Sequence, residues 1–166
     1  MASDITRIIA KAKAAGVRLN APAGEVEVAA FEKERGATLP IGYRDFLITA
    51  GNGGSGPPSH GISPLGLLPS DYDLQAPDLR KQFPFTQPWI WEDGGKSREG
   101  TIEDVNCGAI ILGTDGCAQY WMLIANGPEK GKIWMRAGVG IAPLKPSMTF
   151  LEWYEAWLDG RRDWWN

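Results

Sequence analysis

Histidine and cysteine are scarce in this sequence, and their scarcity removes whole classes of site. The 166 residues include one histidine, His60, and two cysteines, Cys107 and Cys117. Zinc sites need several such ligands at short spacings, and disulfide-stapled folds need several cysteine pairs. We therefore expect no metal ion, no cofactor and no disulfide framework.

Long apolar runs and an excess of positive charge are also missing. No stretch approaches the roughly 18 uninterrupted apolar residues of a membrane span, and Asp4 interrupts the region where a signal peptide has its apolar core. The formal net charge is −3, whereas nucleic-acid binding normally uses a basic patch. These absences predict a cytoplasmic protein that contacts neither membrane nor nucleic acid directly.

Glycine, proline and tryptophan are abundant, with 21, 12 and 8 residues respectively. Glycine and proline favour turns, so we expect many short elements rather than a long helical bundle. Large aromatic side chains serve both cores and interfaces. The length suits one domain that spans residues 1–166.

Helical spacing of apolar residues predicts three helices near the N-terminus and one near the C-terminus. The first ends at Gly16, the second covers residues 25–35, and the third follows Pro40. The last covers residues 150–158, after Thr149 and Glu152 at the spacing of a capping box. The inward face predicted for the second helix consists of Val26, Ala29, Ala30 and Phe31.

Strand patterns dominate the region between these helices. Residues 107–114 and 117–125 form two expected strands across a tight Asp115–Gly116 turn, and residues 132–136 form a third. Residues 62–68 are a further short strand candidate, although Pro64 crosses it. The combination predicts an α+β fold, with N-terminal helices and a C-terminal helix packed against an antiparallel sheet.

A long segment between the expected helices and the hairpin, residues 70–98, has little periodicity, and we call it the acidic excursion. From residue 71 to 104, eight acidic side chains face four basic ones, Arg80, Lys81, Lys96 and Arg98. Loops of this length are commonly functional or flexible. The carboxylates either form a solvated loop face or meet a basic partner.

Two tryptophans alternate within the acidic excursion, immediately after Pro88. If the segment is extended, the rings of Trp89 and Trp91 point to one side. They then either anchor a protein partner, as large aromatics often do, or cover the sheet. The predicted partner-binding residues are Trp89, Trp91, Asp71, Asp73, Glu92 and Asp93.

Glycine clusters give no support for nucleotide binding or catalysis. Residues 94–97 end like a phosphate-binding loop, but Ile90 stands where that motif needs glycine. Residues 51–54 follow a helix rather than a strand, which is the wrong context for a dinucleotide site. With no recognisable nucleophile and base pair, we expect a protein that is not an enzyme.

An ordered series of short motifs covers residues 21–158. The first half contains EKERG, LP, YRDFL and GNGG at residues 32–36, 39–40, 43–47 and 51–54. The second half contains residues 108–116 and 120–125, then GKIW at 131–134 and FLEWY at 150–154. This series resembles the SUKH superfamily, the Smi/Knr-like proteins.

The resemblance implies helices packed on an antiparallel sheet and a frequent role as a bacterial immunity protein. Such proteins bind a cognate toxin domain, often a nuclease, inside the producing cell. The alternative is a non-enzymatic regulatory or scaffolding module. We expect a monomer or weak dimer, and a variable insert such as the acidic excursion would suit partner-specific recognition.

Overall fold

The computed structural model describes residues 2–91 and 101–165, with side chains from Asp4 onward. Within them, five helices and a five-stranded sheet form. The elements in chain order are α1 (Ala2–Ala14), α2 (Glu25–Arg35), α3 (Ile41–Thr49), β1 (Trp89–Ile90), α4 (Ile102–Val105), β2 (Ala109–Gly116), β3 (Gln119–Ile124), β4 (Ile133–Arg136), β5 (Gly140–Pro143) and α5 (Phe150–Leu158). The α+β prediction is confirmed.

The N-terminal helices end close to their sequence signals. Helix α2 matches the predicted range, and Gly36 follows it at a φ of 67°, a left-handed conformation that glycine adopts without strain. Helix α1 ends two residues before Gly16, and α3 begins directly after Pro40. Tyr43, Phe46 and Leu47 are the buried residues of α3.

The inward face of α2 differs from the prediction. Val28 is fully buried and Phe31 is half-buried, whereas Val26 exposes 83% of its surface. Ala29 and Ala30 are also exposed. Residues three or four apart share a helix face, so Val26 and Val28 cannot both point inward. Val28 and Phe31, which are three apart, supply the contact with the core.

The sheet has the strand order β1-β5-β4-β3-β2, and all neighbouring strands are antiparallel. Strands β2 to β5 follow one another as a meander, which confirms the predicted antiparallel arrangement and adds β5 to it. The expected strand over residues 62–68 is wrong, because Ile62 makes only an isolated bridge with Gly54. Proline and glycine within that segment oppose a longer ladder.

The first hairpin turns two residues later than predicted. Its turn residues are Cys117 and Ala118, both with positive φ angles, 53° and 58°. The expected Asp115–Gly116 pair instead lies at the end of β2, which contains two register shifts. The carboxylate of Asp115 accepts hydrogen bonds from the Trp121 indole at 2.9 Å and the Ser59 backbone at 2.7 Å.

Helices α1, α3 and α5 cover one face of the sheet. The capping box predicted for α5 is present, with the Thr149 backbone N–H donating to Glu152 at 2.7 Å. Glu155 on α5 accepts from Arg7 and pairs with Lys11, both on α1. Beyond α5 the chain folds back, and Trp164 is buried on this face of the sheet.

Candidate protein-binding surface

The described part of the acidic excursion, residues 70–91, packs on the other face of the sheet. Phe83, Phe85 and Trp89 are buried in one apolar cluster with inward residues of β2, β3, β4 and β5. Because the sheet is covered on both faces, its central strands are apolar throughout rather than alternating. The described part of the acidic excursion, residues 70–91, is therefore a second layer of the fold as well as a surface.

One row of side chains runs across four strands beneath this layer. Tyr120 pairs with Arg136, Arg136 with Ile141, and Ile141 with Trp89. Neighbouring strands lie about 4.8 Å apart, so the row spans about 14 Å. Asp71 and Asp73 lie over the Tyr120 end, and Trp89 and Trp91 lie at the other end.

The segment that contains Asp71 and Asp73 is fastened to this row. The Tyr120 hydroxyl donates to the Asp71 backbone carbonyl at 2.6 Å. Arg136 Nη2 donates to both carboxylate oxygens of Asp73, at 2.9 and 3.2 Å. Between them, the Tyr72 hydroxyl donates to Asn106 Oδ1 at 2.6 Å. The backbone of this segment is therefore held while its two carboxylates stay largely open to solvent.

Both tyrosines keep their protons at neutral pH. Burial raises the pKa of Tyr72 to about 12, and the nearby Arg136 only partly opposes that effect. Burial likewise raises the pKa of Tyr120. Their hydroxyl groups therefore serve as stable hydrogen-bond donors that fasten the acidic excursion.

The two predicted tryptophan anchors differ in exposure. Trp89 exposes only 6% of its surface and stacks on Phe85 with ring centroids 5.3 Å apart. Trp91 is half-buried, and its indole donates to the Gly138 carbonyl at 2.9 Å. The rings touch edge to face at 5.4 Å. Trp89 therefore belongs to the core, and Trp91 is the ring that reaches the surface.

The remaining predicted site residues divide between the described surface and the rest of the chain. Asp71 is exposed, and the Asp73 side chain is 58% exposed. Glu92 and Asp93 lie outside the described residues. Helix α4 adds Glu103, which is exposed, beside the excursion: Asn106, just after this helix, donates to the Gln75 carbonyl at 2.9 Å.

Tyr72, Arg136 and Asn106 were not predicted as site residues. Strand alternation could have predicted the face of Arg136, because it follows Trp134 by two positions and therefore lies on the same face of β4. The contact of Arg136 with Asp73 joins residues 63 positions apart. Local patterns do not reveal such a pairing.

The chemistry of Cys107 does not suit nucleophilic catalysis. Its thiol is buried and donates to the Glu103 carbonyl at 3.1 Å. Burial raises its pKa, whereas a nucleophilic cysteine must ionise readily. Among residues 2–91 and 101–165, no group of three or more histidine, cysteine, aspartate or glutamate side chains could hold a metal ion.

None of the described helices is both long and apolar enough to cross a membrane. The described residues form an antiparallel sheet with helices on one face and the acidic excursion on the other. They define an α+β protein whose most distinctive surface offers carboxylates beside an aromatic ring.

The family model for SMI1 / KNR4 (SUKH-1) matches residues 22–154. The chain therefore belongs to the SMI1/KNR4 family, as its ordered motifs indicated. The match includes the four N-terminal motifs at residues 32–54, the acidic excursion and α5 up to Tyr154. No curated protein and no solved structure matches the chain significantly.

Proposed function

We propose that this chain is an immunity protein that binds a cognate bacterial toxin domain, such as a nuclease, and neutralises it without catalysis. The observation that carries the proposal is the fastened acidic segment, which presents Asp71 and Asp73 on the same sheet face as Trp91. Membership of the SMI1/KNR4 family supports a binding role. The proposal places the protein in the cytoplasm of the producing cell.

The charge of this surface favours a basic partner. Nuclease domains need positive charge to hold phosphates, and complementary charge speeds encounter between two proteins. Asp78 and Glu103 are also exposed, and the backbone of each is hydrogen-bonded to Asn106, the residue that accepts from Tyr72. A nuclease would thus offer its substrate-binding surface to the carboxylates of the immunity protein.

Rigidity of the surface favours tight binding. The Asp71–Asp73 segment and Trp91 are already held by hydrogen bonds in the free chain. A surface that is ordered before binding loses less conformational entropy in the complex. We expect the carboxylates to control association and Trp91 to control dissociation, with Trp89 acting from beneath as support.

The test is survival of cells that express the toxin encoded beside this gene. The docking variant combines Asp71→Asn and Trp91→Ala, and the control combines Glu27→Gln and Glu34→Gln, both exposed positions of α2. We expect the parent and the control to protect and the docking variant to lose protection. Thermal melts of all three proteins verify that each is folded.

Failure to protect by the parent chain would refute the immunity role and favour the non-enzymatic regulatory or scaffolding module. Full protection by a folded docking variant would instead show that a different surface contacts the toxin. The first outcome therefore tests the immunity role, and the second tests which surface of the protein contacts the toxin.

A further inference from the structure

Arg136 is a charged residue on β4, on the sheet face beneath the second layer. It exposes 7% of its surface and is flanked by two tyrosine rings, with its guanidinium carbon 5.4 Å from the Tyr72 centroid and 5.6 Å from the Tyr120 centroid. Burial of an unpaired charge is costly. The charge of Arg136 must therefore be compensated where it lies.

Compensation comes from a single carboxylate. Arg136 Nη2 contacts Asp73, while Nη1 is buried and has no hydrogen-bond partner in the described part of the chain. The two aromatic faces supply the remaining favourable contacts. Among residues 2–91 and 101–165, Asp73 is thus the one anionic group that holds the guanidinium, and the guanidinium in turn fixes Asp73 over β4.

Asp71 differs from Asp73 in this respect. Its carboxylate makes no hydrogen bond or ion pair with any residue the structure describes, and only its backbone carbonyl is bound, by Tyr120. Of these two aspartates, Asp71 therefore contributes more to the negative field beyond the protein, because the charge of Asp73 is largely cancelled by Arg136 nearby. Two neighbouring aspartates of equal formal charge have different surroundings.

We propose that Arg136 is a positioning residue that holds the Asp71–Asp73 segment through its ion pair with Asp73, which we call the clasp. Asp71 supplies the free charge that meets the basic partner. This inference rests on the proposed function, and it divides the acidic pair into one structural and one electrostatic member. Loss of this ion pair loosens Tyr72 and its neighbours, which then keep the hydrogen bonds from Tyr120 to Asp71 and from Tyr72 to Asn106. Loss of the Asp71 charge leaves them in place.

The first measurement is hydrogen exchange in the free protein, which needs no toxin. The amides of Tyr72 and Asp78 report on the segment, because they donate to Pro69 and Asn106. We expect Asp73→Asn to speed their exchange by about tenfold or more, as a buried guanidinium loses its ionic partner. Asp71→Asn removes the same charge two residues away and should change it less than about twofold.

Arg136→Met tests the other half of the clasp and should speed exchange at the same amides. Because this variant alters a buried residue, Asp73→Asn carries the decision if it does not fold. Asp73→Glu retains a carboxylate and should restore much of the protection. Equal exchange in Asp71→Asn and Asp73→Asn would overturn the clasp.

The second measurement is the kinetics of binding to the toxin identified by the cell-survival experiment. Asp73→Asn should speed dissociation about tenfold while the salt dependence of association stays the same, and Asp73→Glu should rescue it. Asp71→Asn should slow association and weaken its salt dependence. If Arg136 only stabilised the fold, Asp73→Asn would not change dissociation selectively while Asp71→Asn changes association.

The outcomes distinguish this inference from the proposed function. If the chain binds no toxin, the proposed function fails and the docking role of Arg136 fails with it, while hydrogen exchange still decides whether the clasp exists. If toxin binds but both aspartate variants change only association, the positioning role is overturned and the immunity role stands.

Discussion

Replacing Trp89 by alanine tests whether the acidic excursion is part of the core. The side chain is 6% exposed and stacks on Phe85. Burying about 200 Å² of aromatic surface contributes about 5 kcal/mol at 25 cal/mol per Å², and partial burial in the unfolded chain lowers that figure. We expect the free energy of unfolding to fall by about 3 to 5 kcal/mol, the usual range for such truncations.

The matched variant is Trp91→Ala, which removes the same side chain from the adjoining, half-buried position. About half the area is lost from the folded interior, together with one hydrogen bond to Gly138, so we expect a cost of about 2 to 3 kcal/mol. Urea unfolding followed by circular dichroism measures both, because each variant loses a fluorophore. The urea concentration at the midpoint should fall in both variants, while the slope of the free energy of unfolding against urea concentration stays nearly constant.

Two results would refute this account of the second layer. A Trp89→Ala variant that loses less than about 1 kcal/mol would mean that the ring is not packed on the sheet as described. A Trp91→Ala variant that is destabilised as much as Trp89→Ala would mean that Trp91 is also a core residue, unsuited to contact a partner.

Three further predictions concern stability. Arg7 and Lys11 hold the pKa of Glu155 at about 2, so its stabilising effect is present above its ordinary pKa of 4.5 and is lost as pH falls toward 2; acid titration of Glu155→Gln should show a weaker decline. Because the pKa of Tyr72 is raised from 10.0 to about 12, stability should decline as pH rises through that interval, and less so in Tyr72→Phe. Trp164→Ala should lower the free energy of unfolding by about 3 to 5 kcal/mol in urea, because the ring is buried with its centroid 6.0 Å from that of Trp121 and 6.2 Å from that of Trp153.

Helices were predictable where local signals agree. Gly36 ends α2, and the Thr149 capping box begins α5, so both boundaries follow from chemistry within a few residues. The inward face of α2 was not predictable, because Val26 and Val28 belong to two different apolar faces of a short helix. Only the tertiary contacts of Val28 and Phe31 decide between them.

The candidate surface was partly predictable. Composition identified the acidic excursion, and alternation placed Trp89 and Trp91 together, but their burial depends on Phe85 and on distant strands. Strand β1 has two residues and pairs with β5, some fifty positions away. The Asp73 and Arg136 pair is likewise non-local, so no sequence window contains both halves of the clasp.

The affinity of the purified chain for the purified toxin encoded beside its gene tests the central claim most directly. Calorimetry at low and high salt should show tight binding that weakens as salt rises, and a loss of at least about 2 kcal/mol for Trp91→Ala. Absence of binding, or binding that neither salt nor Asp71→Asn with Trp91→Ala alters, would contradict an immunity protein that docks through its acidic excursion.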